Sequence, residues 1–309
     1  MIEIGSRTHG HNSYARALFG EPHRDASKRR AERNAKYLDL DRDLEITRCI
    51  AWGSRSQVYE AVRRRDMRRF AIKLLVAEGL DVRIRFELEG RALSRIRHPH
   101  VVEILSAVTT PNGAKCIVMP FLVGDTLRAL LDTTGRLSQR RAATLMVNAA
   151  AGLHASHSAG VLHRDLNPRN VFIGQTGDEL PSSARPILID FGLAKLEPTA
   201  TELSARFPAF GNPAYMAPEQ ILGAPTDART DVYGLGILLF EALAGRPPFV
   251  SDDADEVTHA QLDRTAPALD RTAGTSAAVA RVAARALEKH PRDRYPSARA
   301  FAEALHAAV

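Results

Sequence analysis

Residues 161–174 read VLHRDLNPRNVFIG. Apolar residues at both ends, Val161-Leu162 and Val171-Phe172-Ile173, enclose a charged, turn-prone centre of His163, Arg164, Asp165, Asn167, Pro168, Arg169 and Asn170. Pro168 has no amide donor and biases Asn167 away from helical backbone. The stretch therefore predicts a loop between two buried anchors, with one carboxylate and two amides projecting from it. Loops on rigid scaffolds are where catalytic groups concentrate. Read alone, the Asp-Asn pair is no more than a polar surface turn.

It does not stand alone. Further on comes PILIDFGLA, residues 186–194. A buried strand over 187–189 ends in Asp190, and Gly192 frees the backbone to turn. Asn170 and Asp190 offer oxygen ligands of the kind that hard cations prefer. Asp165 is left to hold a hydroxyl proton. Together, the two motifs resemble those of the Hanks-type Ser/Thr protein kinases of bacteria, with a catalytic loop H-R-D-L-x-x-x-N and a metal loop D-F-G. The resemblance implies an α+β, bilobal fold: an N-lobe antiparallel sheet with one helix, and a mainly helical C-lobe. It divides the chain into an extension (1–45), an N-lobe (46–122) and a C-lobe (123–309).

Composition sets the bounds. The 309 residues are 45% hydrophobic and 25% charged, an ordinary globular balance with enough apolar content for a substantial core. The net charge of +6 comes from arginines interspersed with acids, so nucleic acid is not an expected partner. Two cysteines, Cys49 and Cys116, argue for a reducing compartment and against a disulfide scaffold or zinc site. No signal-peptide core and no membrane-length apolar run is present. The chain is expected to be soluble and cytoplasmic. Residues 25–38 have the makings of a helix with a charged exterior, and the first twenty or so read as a polar tail.

From Leu44, EITRCIAWGSRSQVYEAVRR reads as strand, small-residue turn and strand. In the kinase family this hairpin covers the ATP phosphates with three glycines. Here Ala51, Gly53, Ser56 and Val58 hold the aligned positions, and Gly53 alone remains of the three. Arg63–Arg69, five arginines around Asp66 and Met67, reads as a solvated turn, or as a docking patch for an acidic partner. In the strand RFAIKLLV, Ala71 and Lys73 share a face. The resemblance makes Lys73 the phosphate-holding lysine and has Ala71 line the adenine pocket. An amphipathic helix over 81–97 buries Phe86, Leu93 and Ile96. It carries two candidates for the lysine's partner, Glu87 and Glu89, and the following RALSRIRHP favours Glu89. Gly90 is unusual within a helix.

Pro111-Asn112-Gly113 predicts the next hairpin turn. By resemblance, Met119 guards the back of the adenine pocket, the carbonyl of Pro120 and N–H of Leu122 bond adenine, and Phe172 packs beneath it. Asp125 is read as the N-cap of DTLRALL and as a ribose ligand. Ser138 is expected to cap a long helix over 139–158 that Gly160 ends, with His154 and His157 suiting the dipole at its C-terminus. Asp231, heading a buried helix, would anchor the catalytic loop from below, and Arg294 would pair with Glu219 of the A-P-E motif.

The resemblance implies transfer of the ATP γ-phosphoryl group to Ser/Thr hydroxyls of protein substrates, with Mg2+ or Mn2+ held by Asn170 and Asp190. Lys73 and Glu89 place the phosphates, Asp165 takes the proton, and Arg164 couples loop order to activity. Thr199, Thr201 and Ser204 are candidate autophosphorylation sites. Two departures stand out. Asn167 replaces the usual lysine and Asn212 the usual threonine, and the pair is expected to hydrogen-bond around Asp165. Arg169, placed as in tyrosine kinases, would restore the lost charge. The segment NPAYM is nevertheless of the Ser/Thr style. The competing reading is a pseudokinase that binds nucleotide or a partner with weak transfer.

Overall fold

The computed structural model describes residues 43–52, 56–76, 80–110, 113–176, 185–191, 212–269 and 274–309, without the side chains at 52, 80–83, 85, 88, 89, 175 and 176. Five strands make the first sheet: β1 (Leu44–Trp52), β2 (Ser56–Arg63), β3 (Arg69–Leu75), β4 (Ser106–Thr109) and β5 (Lys115–Pro120). All pairings are antiparallel, in the order β1-β2-β3-β5-β4. The two-residue period of a strand gives this sheet two different faces. Ala51, Val58, Ala71, Ile117 and Met119 join the main core. Tyr59, Ala61, Phe70, Ile72, Leu74, Cys116 and Val118 form a separate cluster on the other face. Register places Lys73 between Val58 and Ile117, and Ala71 opposite Met119.

Between β3 and β4 runs α1 (Leu80–Leu93). It ends before the expected 97, so buried Ile96 lies past its last turn. Gly90 has a packing reason. A Cβ there would already touch the Ala107 Cβ and an Ile117 methyl at 3.4 Å, so the glycine brings helix and sheet close. The arginines of the β2–β3 turn are not simply solvated. Arg63 pairs with Asp66, Arg64 with Glu45, and Arg65 with Asp43. Glu60 accepts from both Arg48 and Arg69 at 2.6 Å. Burial opposes its charge, but the two guanidinium groups hold its carboxyl below the usual range.

A short sheet, β6 (Leu122–Thr126), β7 (Val171–Thr176) and β8 (Arg185–Leu188), opens the helical part. Its helices are α2 (Leu127–Thr134), α3 (Gln139–Ser158), α4 (Pro218–Ile221), α5 (Ala228–Ala244), α6 (Ala254–Asp263), α7 (Ala277–Ala286) and α8 (Ala298–Ala307). Ser138 caps α3 as expected, and its Oγ accepts from the Arg141 amide. Asp125 is not the cap of α2. It lies exposed in β6 opposite Ile173, and Thr126 Oγ1 accepts from the Ala129 amide instead. β6 pairing carries the extended backbone one residue further than the Asp suggested.

Helix α5 is buried along its length from Thr230 to Leu243. Two glycines admit neighbours that any Cβ would displace. At Gly234 a Cβ would lie 2.9 Å from the Leu166 Cβ, and at Gly152 only 2.7 Å from the carbonyl oxygen of His100. Beneath the lobe Arg294 meets Glu219 in two parallel bonds of 2.8 Å, both residues buried. Arg294 also donates to the carbonyls of Glu288, Arg229 and Lys289. Removing one partner of such a pair strands a buried charge. Arg294→Leu should cost about 3–5 kcal/mol in urea unfolding, and adding Glu219→Leu should restore part of that loss.

Candidate functional site: a catalytic loop and a facing lysine

The loop 161–170 is set by one buried carboxylate. Asp231, in the first turn of α5, accepts the backbone N–H groups of His163 and Arg164, each at 2.8 Å. His157 Nε2 donates to the same carboxylate at 2.7 Å. Burial alone would raise the Asp231 carboxyl; the His157 bond, the nearby imidazoles and the loop amide outweigh it and hold it low. His157 was read only as a dipole complement to α3, and its partner lies in a distant helix. Arg164 sits at φ 59, where non-glycine residues are uncommon. The Asp231 bond to its amide helps hold that conformation.

His163 is fully buried and packs on Phe191 with ring centroids 4.5 Å apart. Its Nε2 donates to the Ile189 carbonyl at 3.2 Å, and its Nδ1 accepts the long 3.4 Å approach of the Asp165 amide. Those two contacts assign the neutral tautomer. Burial depresses its pKa below the ordinary value. Pro168 joins the loop to α2 through its carbonyl, which accepts from the Arg128 amide at 2.9 Å.

Asn170 is buried, and its Nδ2 donates to both the backbone oxygen of Asp165, at 2.7 Å, and its carboxylate, at 3.1 Å. Asn167 bonds Asp165 as expected, but at its backbone. Its Nδ2 donates to the Asp165 backbone carbonyl and its Oδ1 accepts from the Arg169 amide, both at 3.0 Å. Asn212 caps the 3-10 turn Pro213–Tyr215 through the Ala214 amide. The bonding expected around Asp165 thus forms from Asn167, on the backbone carbonyl, while Asn212 bonds the Ala214 amide instead. A side-chain carbonyl at both positions is drawn to the nearest turn amide. Gln220, unremarked in the sequence, ties this region together: its Nε2 donates to the Arg164 carbonyl at 2.8 Å and its Oε1 accepts from the Ala217 amide.

Across from the loop, Lys73 Nζ forms an ion pair with the Asp190 carboxylate. Asp190 also has a left-handed backbone, φ 56. The Ile189 amide donates to the Asn170 carbonyl at 3.0 Å, so Asn170 and Asp190 lie on adjacent, directly bonded chains. One carboxylate and one amide are hard oxygen donors, a set suited to Mg2+ with the remaining positions filled by phosphate and water. Of the two glutamates in α1, Glu87 pairs with Lys115 and Arg91, not Lys73. The Glu89 side chain, Gly53, and the hydroxyls of Thr199, Thr201 and Ser204 lie outside the described residues.

Ala51, Val58, Ala71, Met119, Leu122 and Phe172 all belong to one buried apolar cluster, and Ser56 is buried at the start of β2. Pro120 and Leu122 also border a cavity of about 330 Å³ together with Arg97, His98 and Arg185. The segment past Asn212 is anchored from below: Tyr215 donates to Glu241 at 2.8 Å, and Arg128 bonds the other Glu241 oxygen at 2.5 Å.

A five-stranded lobe carrying a lysine, facing a helical lobe that presents Asp165 and Asn170 on one loop and Asp190 just past the neighbouring strand, is the architecture of a protein kinase. The protein kinase domain family matches residues 44–306, and the chain belongs to that family. It is similar to the serine/threonine-protein kinase Pkn2 of Myxococcus xanthus, 36% identical over 88% of this chain and 33% of the relative. It is also similar to PkaA of Streptomyces coelicolor, at 39% over 76% of this chain and 42% of the relative. PknB of Mycolicibacterium smegmatis is 32% identical over 82% of this chain and 41% of the relative. The chain thus spans well under half the length of these curated relatives.

His163 gives a signed pH dependence. Its folded pKa lies below the ordinary 6.5, so the unfolded chain binds the proton first as pH falls. The associated stability is present above about 6.5 and is lost progressively below it. The urea midpoint should therefore drop between pH 7.5 and 5.5, and His163→Phe should flatten that slope whatever it does to the midpoint itself.

Proposed function

We propose that the chain is an ATP-dependent protein kinase that transfers the γ-phosphoryl group to Ser/Thr hydroxyls of proteins. The observation that carries this reading is the ion pair of Lys73 with Asp190, set beside the bonded Asp165 and Asn170. Lys73, braced by Glu89, grips the nucleotide phosphates. Ala51, Gly53, Ser56 and Val58 cover them. Ala71, Met119 and Phe172 enclose adenine, while the backbone of Pro120 and Leu122 bonds its edge, and Asp125 takes a ribose hydroxyl. Asn170 Oδ1 and Asp190 would hold Mg2+, or Mn2+, which neutralises phosphate charge when bound. Asn170 spends its amide nitrogen on Asp165, and this orients the carboxylate toward the acceptor. Asp165 receives the hydroxyl proton as the new O–P bond forms and the bond to ADP breaks. Positioning and charge do the rest, because the transition state is loose.

Arg164 would receive a phosphate from Thr199, Thr201 or Ser204, coupling autophosphorylation to loop order. Arg169 supplies the positive charge that Asn167 does not. The action is placed in the cytoplasm; two free thiols, Cys49 and Cys116, support this. Among the described residues, no helix is long and apolar enough to cross a membrane. A second reading, a pseudokinase with weak transfer, draws on one observation: Asn167 is uncharged and held to backbone at both its Nδ2 and its Oδ1, so it brings no positive charge to a phosphate.

Two measurements separate the readings. Radiolabel transfer from ATP should fall by about 10²–10⁴-fold in Asp165→Ala, and equal labelling of mutant and parent would leave only the pseudokinase. Arg169→Ala should lower kcat by about a hundredfold if it carries the missing charge, and unchanged turnover removes that role.

A further inference from the structure

Gln261, near the end of α6, is 0% exposed. A primary amide at that depth is costly unless its donors and its acceptor are used. Here both donors go to one target. Nε2 donates to the carbonyls of Pro213, at 3.1 Å, and Ala214, at 2.8 Å, in the 3-10 turn that Asn212 caps. Oε1 accepts from the hydroxyl of Tyr233, a buried residue of α5. Two carbonyls admit only a donor between them, which fixes the end of the amide that faces the turn. Lys289 completes the network. Its Nζ donates to the Tyr233 hydroxyl at 3.3 Å and to the carbonyls of Ala260 and Gln261 at 3.1 and 2.8 Å, three acceptors for three protons. The end of α6 is thereby fastened to α5. The Ala214 side chain adds an apolar contact, packing on Phe249, Val257 and Ala260.

The turn that Gln261 grips borders the place where an acceptor hydroxyl must lie. Its segment is bonded to the catalytic loop on both sides of Asp165. Ahead of Asp165, Gln220 Nε2 donates to the Arg164 carbonyl. Behind it, Tyr215 and Arg128 both donate to Glu241, and the Arg128 amide donates to the Pro168 carbonyl. Gln261 adds a hold on the turn's backbone from a different helix. We propose that Gln261 is a positioning residue for the protein acceptor: by drawing the Pro213 and Ala214 carbonyls onto α6, it sets the wall along which the acceptor chain lies beside Asp165. The proposal rests on the protein kinase reading above. The nucleotide is placed from the other side, by Lys73 and Asp190, so the effect of Gln261 falls on the acceptor and not on ATP. A leucine in its place leaves two carbonyls and the Tyr233 hydroxyl without that partner.

The test is steady-state transfer from ATP to dephosphorylated casein by the full chain. Gln261→Leu should raise the KM for casein about tenfold or more, with kcat and the KM for ATP each held within about threefold. Tyr233→Phe keeps the ring and Gln261 but removes the hydroxyl that orients the amide. It should raise the casein KM by a smaller factor, about threefold, and it carries the test if the leucine variant does not fold. An unchanged casein KM overturns the proposal. So does a fall in kcat alone, or an equal rise in both KM values, because either assigns Gln261 to the loop or to the fold at large. Hydrogen exchange gives a reading that needs no phosphoryl transfer. The amides of Tyr215 and Met216, bonded to the carbonyls of Asn212 and Pro213, should exchange about tenfold faster in Gln261→Leu. A parent chain that labels neither casein nor itself removes the kinase reading, and the acceptor role with it. Unchanged exchange at the turn, in a parent that does label casein, overturns this proposal alone.

Discussion

A single carboxylate, Asp231, 1% exposed, decides whether the catalytic loop exists as a shape. It is covalently part of the most buried helix and receives two successive loop amides and an imidazole. An ionised group at that depth is tolerated only when its lone pairs are filled. The dependence is mutual: the loop satisfies the charge, and the charge holds the loop, including the left-handed Arg164. Asp165 and Asn170 inherit their positions from that arrangement and Asp190 from the strand bonded to Asn170.

The same construction recurs below the site. Glu241 is buried beneath Arg128 and Tyr215, and Glu219 beneath Arg294 and Thr230. Burial raises the Glu241 carboxyl although the Tyr215 hydroxyl and Arg128 both favour its charge. In each case an acidic side chain in the large lobe fixes the segment from Asn212 to Ile221. That segment therefore has ionic anchors beside its apolar packing, and it is joined to the catalytic loop directly by Gln220.

The sequence was legible where the signals were local. His163 to Asn170 announce a loop by their own turn chemistry, and Ser138 and Gly160 punctuate α3 correctly. The alternation of RFAIKLLV placed Ala71 and Lys73 on the inner face. It was less legible where one competent residue stood beside another. Asp125 and Thr126 are both good caps, and only the pairing of β6 with β7 decides between them. Distant partners left no mark at all. Nothing near His157 points to Asp231, nothing near Glu87 points to Lys115, and the two asparagines gave no sign that turn amides would win them. Gly90 looked out of place within a helix and turns out to be a contact point.

The contact at Gly152 bears on how the two lobes can move. His100, between α1 and β4, is held to the large lobe by its carbonyl, which accepts from Leu188, and by Nδ1–H, which donates to Pro186. Gly152 lets that backbone sit against α3. The covalent connection at Phe121 is a second fixed point, where Arg69 stacks on the ring and accepts the Phe121 amide through its carbonyl. A body pinned at two points keeps one rotation, about the line that joins them. The upper lobe is thus a door on two pins. Lys73 swings with the door, while Asp190, two residues past the strand to which the His100 pin is fastened, stays with the frame. The distance between their side chains measures how far the door stands open.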